Sequence, residues 1–515
     1  MDAGGATTEA TPRHDDREVR RAENTVLALV VMIALWVAVF GVLVWRRHDR
    51  FGSFGFDMGI YDQAVWLAAH GGSFITVRGL DLFGHHANVA FYLLAPFSWL
   101  GAGPHFLNLV QVGSLAACTV PLFLLGRDRI GNPWLALVVP VVFLLHPSTQ
   151  FLAWELFHPE TMAIAPLLFA YLAARRERWG WYAVLLVFAV AWKEDVALAA
   201  FALGAVVAVR GNRRVGGITM ALSLGWFLFV NRILLTAVNG QGAFYDQFYG
   251  DLGSSPFEIL GTAFTDPGLV VDRFTGPESV EFVWQMVAPF AGVPLLAPLA
   301  LLLGLPQLVA NLLSIHGFTR EITFHYAALP LAALSLAAVE ALAFVVRRVR
   351  TVAVGRALGG LMVVAAIAAT IQWGPSPIGA RYDDGYWPRP GDVRKPSKEA
   401  GLAAIPDGAP VSATYQFVPH LSHRRAVYEF PNPFGERNWG VRGENRHDPE
   451  VVRWLIADTL VMGQEDRTLV ESIAHGPDWE IVMELDGIVV ARRIGAVDAA
   501  AVGLATGAVR PAGRR

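Results

Sequence analysis

The feature that most restricts this chain is a succession of apolar runs, the first of which, residues 25–45, is long enough at about 1.5 Å per residue to cross a bilayer core of about 30 Å. Further runs cover 105–125, 133–145, 161–174, 180–192, 196–209, 215–238, 287–303, 305–315, 326–346 and 356–373. Read as spans they number about eleven, several of them short enough to be tilted, broken or covered by neighbours. The chain is 54% hydrophobic and 17% charged. An average soluble domain is roughly a quarter charged, so most of this one belongs in lipid. The expected fold class is an α-helical polytopic membrane protein. Arg46, Arg47 and His48 follow the first run where a cleaved signal would carry small residues, so that run is read as an uncleaved anchor.

Charge at the ends of the runs sets an expected orientation, because Lys and Arg resist translocation. Four connections are arginine-rich: 127–129, 175–178, 210–214 and 347–356. With residues 1–24 as a cytoplasmic tail, all four fall on the cytoplasmic side, as expected of a multi-pass protein of the plasma membrane. Arg46, Arg47 and Arg50 break this pattern and are read as the outer shoulder of the first span. The same parity places outside a first loop of residues 51–104, the segments 146–160, 193–195, 239–284 and 316–325, and everything after Trp373. Residues 88–100 cannot be a span without inverting the arginine pattern. They are expected to lie along the membrane surface, with Phe91, Tyr92, Phe97 and Trp99 at the interface. Together these segments form a transmembrane domain of residues 25–373.

From Gly374 the composition turns toward Pro, Asp and Arg. The stretches PVSATY, RRAVYEF, RWLIADTLVM, WEIVMELD and GIVVARRI read as strands, with a helix over 465–475. Residues 374–495 are therefore expected to form a small extracytoplasmic α/β domain, and 496–515 a disordered tail. The formal net charge is −3 and no basic block is large enough for a nucleic-acid footprint, so nucleic acid is set aside as a partner. A single cysteine, Cys118, excludes an intrachain disulfide and a cysteine metal cluster.

Polar residues concentrate in five strings: FDMGIYDQAVW at 56–66, WELFHPE at 154–160, WKEDVAL at 192–198, ITFHYAALP at 322–330 and IPDGAPVSATYQFVPHLSHRRAVYEFP at 405–431. Together, and in this order, they resemble the membrane-protein family called domain of unknown function 2079. More distantly, the plan is similar to the GT-C superfamily of membrane glycosyltransferases. Those enzymes place an acidic residue just after the first span, surface helices in a long first outer loop, and a periplasmic domain after many spans. The chain departs from them in carrying HHAN at 85–88, where a double-proline or HP-type motif is common. The resemblance implies a transferase that moves a sugar from a polyprenyl-phosphate donor in the membrane lipid to a cell-envelope acceptor.

Such a transfer needs a base for the acceptor proton as the phosphate leaves. Asp57 matches the family's acidic position, although an Asp there also suits a helix N-cap, and the two roles can coexist. Asp62, five residues on, is a second catalytic candidate, its alternative being an Arg-paired surface acid. The leaving phosphate needs donors or cations. The candidates for binding it are Arg78, His85, His86, His158, Lys193, Arg320 and His325, with Glu160 and Glu194 completing the polar set. His85, His86, His158 and Glu160 also suit a divalent metal as cofactor. No glycine-rich phosphate loop points to a soluble nucleotide-sugar donor. Two other readings stand beside this one: a transporter or lipid flippase, with polar residues lining a path through the membrane, and a non-catalytic envelope protein whose outer acids are only caps.

Overall fold

In the computed structural model, residues 13–239, 248–388, 391–435, 437 and 448–495 are described. The expected disordered tail at 496–515 and the first part of the N-terminal tail lie outside them. Among the described residues, five helices are long and apolar enough to cross a membrane: Arg20–Asp49, Pro104–Ile130, Arg213–Val238, His325–Val349 and Val352–Trp373. The pair Pro133–Leu145 and Pro147–Trp154, bent by 49°, makes a sixth if it counts as one broken span. The expectation of about eleven spans is thus corrected to five or six. Apolar composition accumulates residue by residue, whereas a crossing needs an unbroken helix. In 287–315 the prolines at 289, 294, 298 and 306 remove backbone donors, and the run is cut into Ala288–Phe290, Val293–Leu296, Pro298–Leu301, Leu302–Gly304 and Leu305–Leu313. Other runs form helices of 12 to 17 residues, Trp179–Val190, Val196–Val209 and Pro159–Arg175.

The helix His325–Val349 is central, with 83% of its apolar window buried, against 22% for Arg20–Asp49 and for Arg213–Val238. Its alanines admit close neighbours: a Cβ at Gly304 would lie 2.8 Å from the Cβ of Ala333. The hairpin of Val196–Val209 and Arg213–Phe229 closes more tightly still, since a Cβ at Gly216 would sit 2.5 Å from the backbone of Gly204 and Ala208.

Three helices run in one direction, and this positions the site. Pro159–Arg175, Val196–Val209 and Ala328–Val349 all start beside acids, a lysine or a histidine and end at arginines. At those far ends, Arg129, Arg175 and Arg210 stand 3.2, 3.3 and 3.1 Å from the single carboxylate of Glu340, to which Tyr171 donates at 2.9 Å. Arg347 donates to the Arg129 carbonyl at 2.9 Å. The four arginine-rich connections therefore gather at one face. At about 1.5 Å per residue, the opposite ends of these helices lie roughly 20–30 Å away.

After the last long helix comes a five-stranded sheet. The first loop holds a two-residue hairpin, β1 (Phe74–Ile75) and β2 (Leu80–Asp81); the sheet then comprises β3 (Val411–Ala413), β4 (Val427–Glu429), β5 (Trp454–Asp458), β6 (Trp479–Leu485) and β7 (Ile488–Arg493). Its order is β4-β3-β5-β7-β6, parallel between β4, β3 and β5 and antiparallel thereafter. Strand period two sends Trp454 and Ile456 to one face, and Leu455 and Ala457 to the other. The second face packs under the helix Gln464–Ala474 through Val470 and Ala474. The first face merges with the core of the helical domain, where Val411, Phe417 and Val418 share one cluster with Met58, Ile60 and Tyr61. The C-terminal unit is thus seated on the first loop.

Candidate functional site

Asp57 lies in a distorted turn, Gly55–Gly59, at φ +64° and ψ −79°, a conformation that costs a non-glycine residue energy. Its side chain caps no helix; the carboxylate reaches to 3.4 Å from Nε2 of His158. His158 is fully buried just before Pro159, whose missing N–H suits the first position of the helix it opens. The backbone N–H of His158 donates to Gln111 Oε1 at 2.5 Å, which fixes the loop. His325 stacks on His158 with ring centroids 4.2 Å apart and meets Glu155 Oε1 at 2.8 Å through Nδ1. Glu155 Oε1 is 3.8 Å from His158 Nε2, and His325 Nε2 is 3.7 Å from Glu160 Oε1. Lys193 pairs with Glu160 and, at 3.3 Å, with Asp195. Tyr61 and Tyr326 flank the imidazoles at centroid distances of 5.7 and 4.2 Å.

A second polar group adjoins this one. His86 Nδ1 is 2.8 Å from Glu194 Oε1, and the Ala87 N–H donates to Glu194 Oε2 at 3.0 Å. Asn88 donates to the Trp192 carbonyl at 2.6 Å, tying the first loop to the KED turn. Burial, with His86, Arg78 and Lys193 nearby, holds His85 well below the usual imidazole range. Burial opposes ionisation of Glu194, but His86, Lys193 and the Ala87 N–H outweigh it and bring the carboxyl down to about 2. Asp195 moves the other way, raised by burial and by Glu194 despite Lys193.

The Asp57–His158 pair behaves likewise. Burial raises the Asp57 carboxyl, yet the charge and hydrogen bond of His158, with His325, hold it below its ordinary value. Burial alone would neutralise His158, but Glu155, Asp57 and Glu160 push it up to about 10. Asp57 keeps 29% of its side chain exposed.

Glu160, Lys193, Asp195, His325 and Tyr326 form the polar end of a cavity of about 770 Å³ whose walls include Leu198, Phe227, Leu260, Ala263, Val309 and Leu329. Asp57 and His158, in contact with each other, both lie outside that lining. Of the residues singled out in the sequence, Asp57, His158, Glu160, Lys193 and His325 come together, with His85, His86, Glu194 and Arg78 beside them. Two stand apart. Arg320 donates to Glu278 at 2.7 Å and to the Ser314 carbonyl. Asp62 accepts from Ser422 at 2.5 Å and lies 3.0 Å from His423 Nε2, at the seam with the C-terminal unit. Glu155, Asp195 and Tyr326 were missed, although WELFHPE, WKED and HYA carried them in plain view. Arg47, out of place by charge, is buried with its guanidinium 4.2 Å over the Trp154 ring and donates to the Gly52 and Trp154 carbonyls.

A family model described as a predicted membrane protein, domain of unknown function 2079, matches residues 47–490. The chain belongs to this family. The matched region holds every residue of the cluster and both partners of the Asp62 seam, and leaves out most of the first long helix, Arg20–Asp49. No curated protein matches the chain.

Proposed function

We propose that this member of the domain of unknown function 2079 family is a multi-pass glycosyltransferase of the plasma membrane that takes a sugar from a polyprenyl-phosphate donor. The observation that carries the reading is the cavity: apolar walls of a size suited to a lipid chain, ending at a lysine and an imidazole, Lys193 and His325, suited to a phosphate. In this reading an acceptor hydroxyl forms a bond to the anomeric carbon as the bond from that carbon to the phosphate oxygen breaks. Asp57 takes the hydroxyl proton, and polyprenyl phosphate leaves with the electron pair beside Lys193 and His325. A carboxylate held below its ordinary pKa is a weak base, which fits proton transfer late in the step. Likeness to the GT-C plan supports the same reading through the position of Asp57 after the first span. The arginine-rich face supports a cytoplasmic N-terminus, with the cluster on the outer side.

The bent pair Pro133–Leu145 and Pro147–Trp154, which delivers Glu155 to the cluster, favours a second reading, a lipid flippase or transporter, since such proteins build sites on interrupted helices. Replacing Asp57 by Asn and by Ala, and comparing envelope glycans in a strain lacking the native chain, separates the two. A transferase loses about 100-fold or more in sugar transfer while lipid binding persists. Full complementation by both variants overturns the role of Asp57.

A further inference from the structure

Five carboxylates, those of Asp57, Glu155, Glu160, Glu194 and Asp195, converge in one buried region. Lys193 pairs with Glu160 and Asp195, and the Arg47 guanidinium acts on Glu155. At the centre of this region Glu155, His158 and His325 each offer one ligand atom, all within 4.8 Å of one another. The separations from Glu155 Oε1, 2.8 Å to His325 and 3.8 Å to His158, bracket the roughly 3.4 Å expected between donors about 2.1 Å from one tetrahedral ion. Glu155 Oε2 is buried and makes no hydrogen bond, and buried His158 Nε2 has only the long carboxylate contacts to Asp57 at 3.4 Å and Glu155 at 3.8 Å, a costly arrangement for such groups. The turn is also built to aim His158. Leu156 takes a φ of +83°, and its carbonyl stands 3.5 Å from Nδ1, which turns Nε2 toward the carboxylates of Glu155 and Asp57.

We infer that Glu155, His158 and His325 bind a divalent transition-metal cation, with Asp57 beside the open coordination position. Two imidazoles and a carboxylate favour Zn²⁺ or Mn²⁺ over Ca²⁺ and Mg²⁺, which prefer all-oxygen shells. The set shares only His158 with the His85, His86, His158 and Glu160 that the sequence suggested: Glu194 engages His86, Lys193 engages Glu160, and Glu155 and His325 complete the site. The site stands whether or not the chain transfers a sugar.

The test uses tag-free full-length chain in detergent, stripped with chelator and then dialysed against Zn²⁺, Mn²⁺ or Mg²⁺, with bound metal measured by mass spectrometry. About one equivalent of Zn²⁺ or Mn²⁺ per chain is expected. Glu155→Gln and His325→Ala should bind at least about 10-fold more weakly, and Glu278→Gln, at an exposed carboxylate, should bind as the wild type does. Co²⁺ added to the stripped wild type should give the visible absorption of an imidazole-bound ion, a readout that needs no variant. Absence of that spectrum overturns the site, as does undiminished affinity in variants that elute like the wild type. Sugar transfer by a chain that binds no metal would sink this inference and leave the transferase reading standing.

Discussion

Glu429 shows how a single residue ties stability to pH. Its carboxyl is buried under the Asp57 turn: a Cβ at Gly55 would lie 2.2 Å from Oε2, and that oxygen makes no hydrogen bond. Burial pushes Glu429 from 4.5 up to about 7, while Arg437 and the Phe56 N–H lower it and Asp57 raises it. A carboxyl that holds its proton more tightly when folded stabilises the protein below its unfolded pKa. That stability declines as pH rises from about 4.5 to about 7 and then levels off. At about 1.4 kcal/mol per pKa unit the effect is on the order of 3 kcal/mol. Apparent Tm in detergent should fall over that window in the wild type, and Glu429→Gln should flatten the fall; equal slopes would show that Glu429 is already ionised. Gly55→Ala should lower Tm at every pH, because the new methyl meets Glu429 and Val418.

Between elements, two contacts separate a tied bundle from a loose set of helices. Glu340 gathers Arg129, Arg175 and Arg210, so Glu340→Ala leaves three guanidiniums crowded without their common acid. A loss of about 3–5 kcal/mol is expected, read as a lower Tm, and raised salt should recover part of it. Gly216→Val forces the Val196–Val209 and Arg213–Phe229 hairpin apart, at a cost of about 1–3 kcal/mol or more. That hairpin frames the cavity beside Lys193, so the same variant should bind lipid less tightly in a co-purification assay. The sequence marked these helices by their arginine-rich ends, and the structure brings those ends together. It did not mark which apolar runs cross. Hydropathy averages over a window and is blind to the prolines that divide 287–315 and to the 49° bend before Pro147.

At the scale of the whole molecule, the C-terminal sheet and the first loop form one structure. Gln63 donates to the Arg424 carbonyl at 3.1 Å, Thr76 to the Val427 carbonyl at 2.7 Å, and Ser422 to Asp62. A chain ended after Trp373 would leave these buried polar groups unsatisfied, along with the apolar face that Val418 and Phe417 cover. Such a chain should elute as aggregate in size-exclusion chromatography, and a monodisperse peak at the expected mass would contradict this dependence. Asp62→Ala should act in the same direction but more mildly, by about 1–3 kcal/mol.

By itself the sequence determined that this chain lives in a membrane, that its arginines cluster at certain helix ends, and that its unusual polar residues lie in five short strings. These are properties of composition and local order, which a linear reading captures. The tertiary structure alone decided that Glu155 meets His325 across 170 residues, that Asp62 serves the seam, and that the terminal sheet shares a core with the first loop. Pairing at such separations has no period and no spacing. It follows from which helix faces bury against one another, and only the packed chain specifies that.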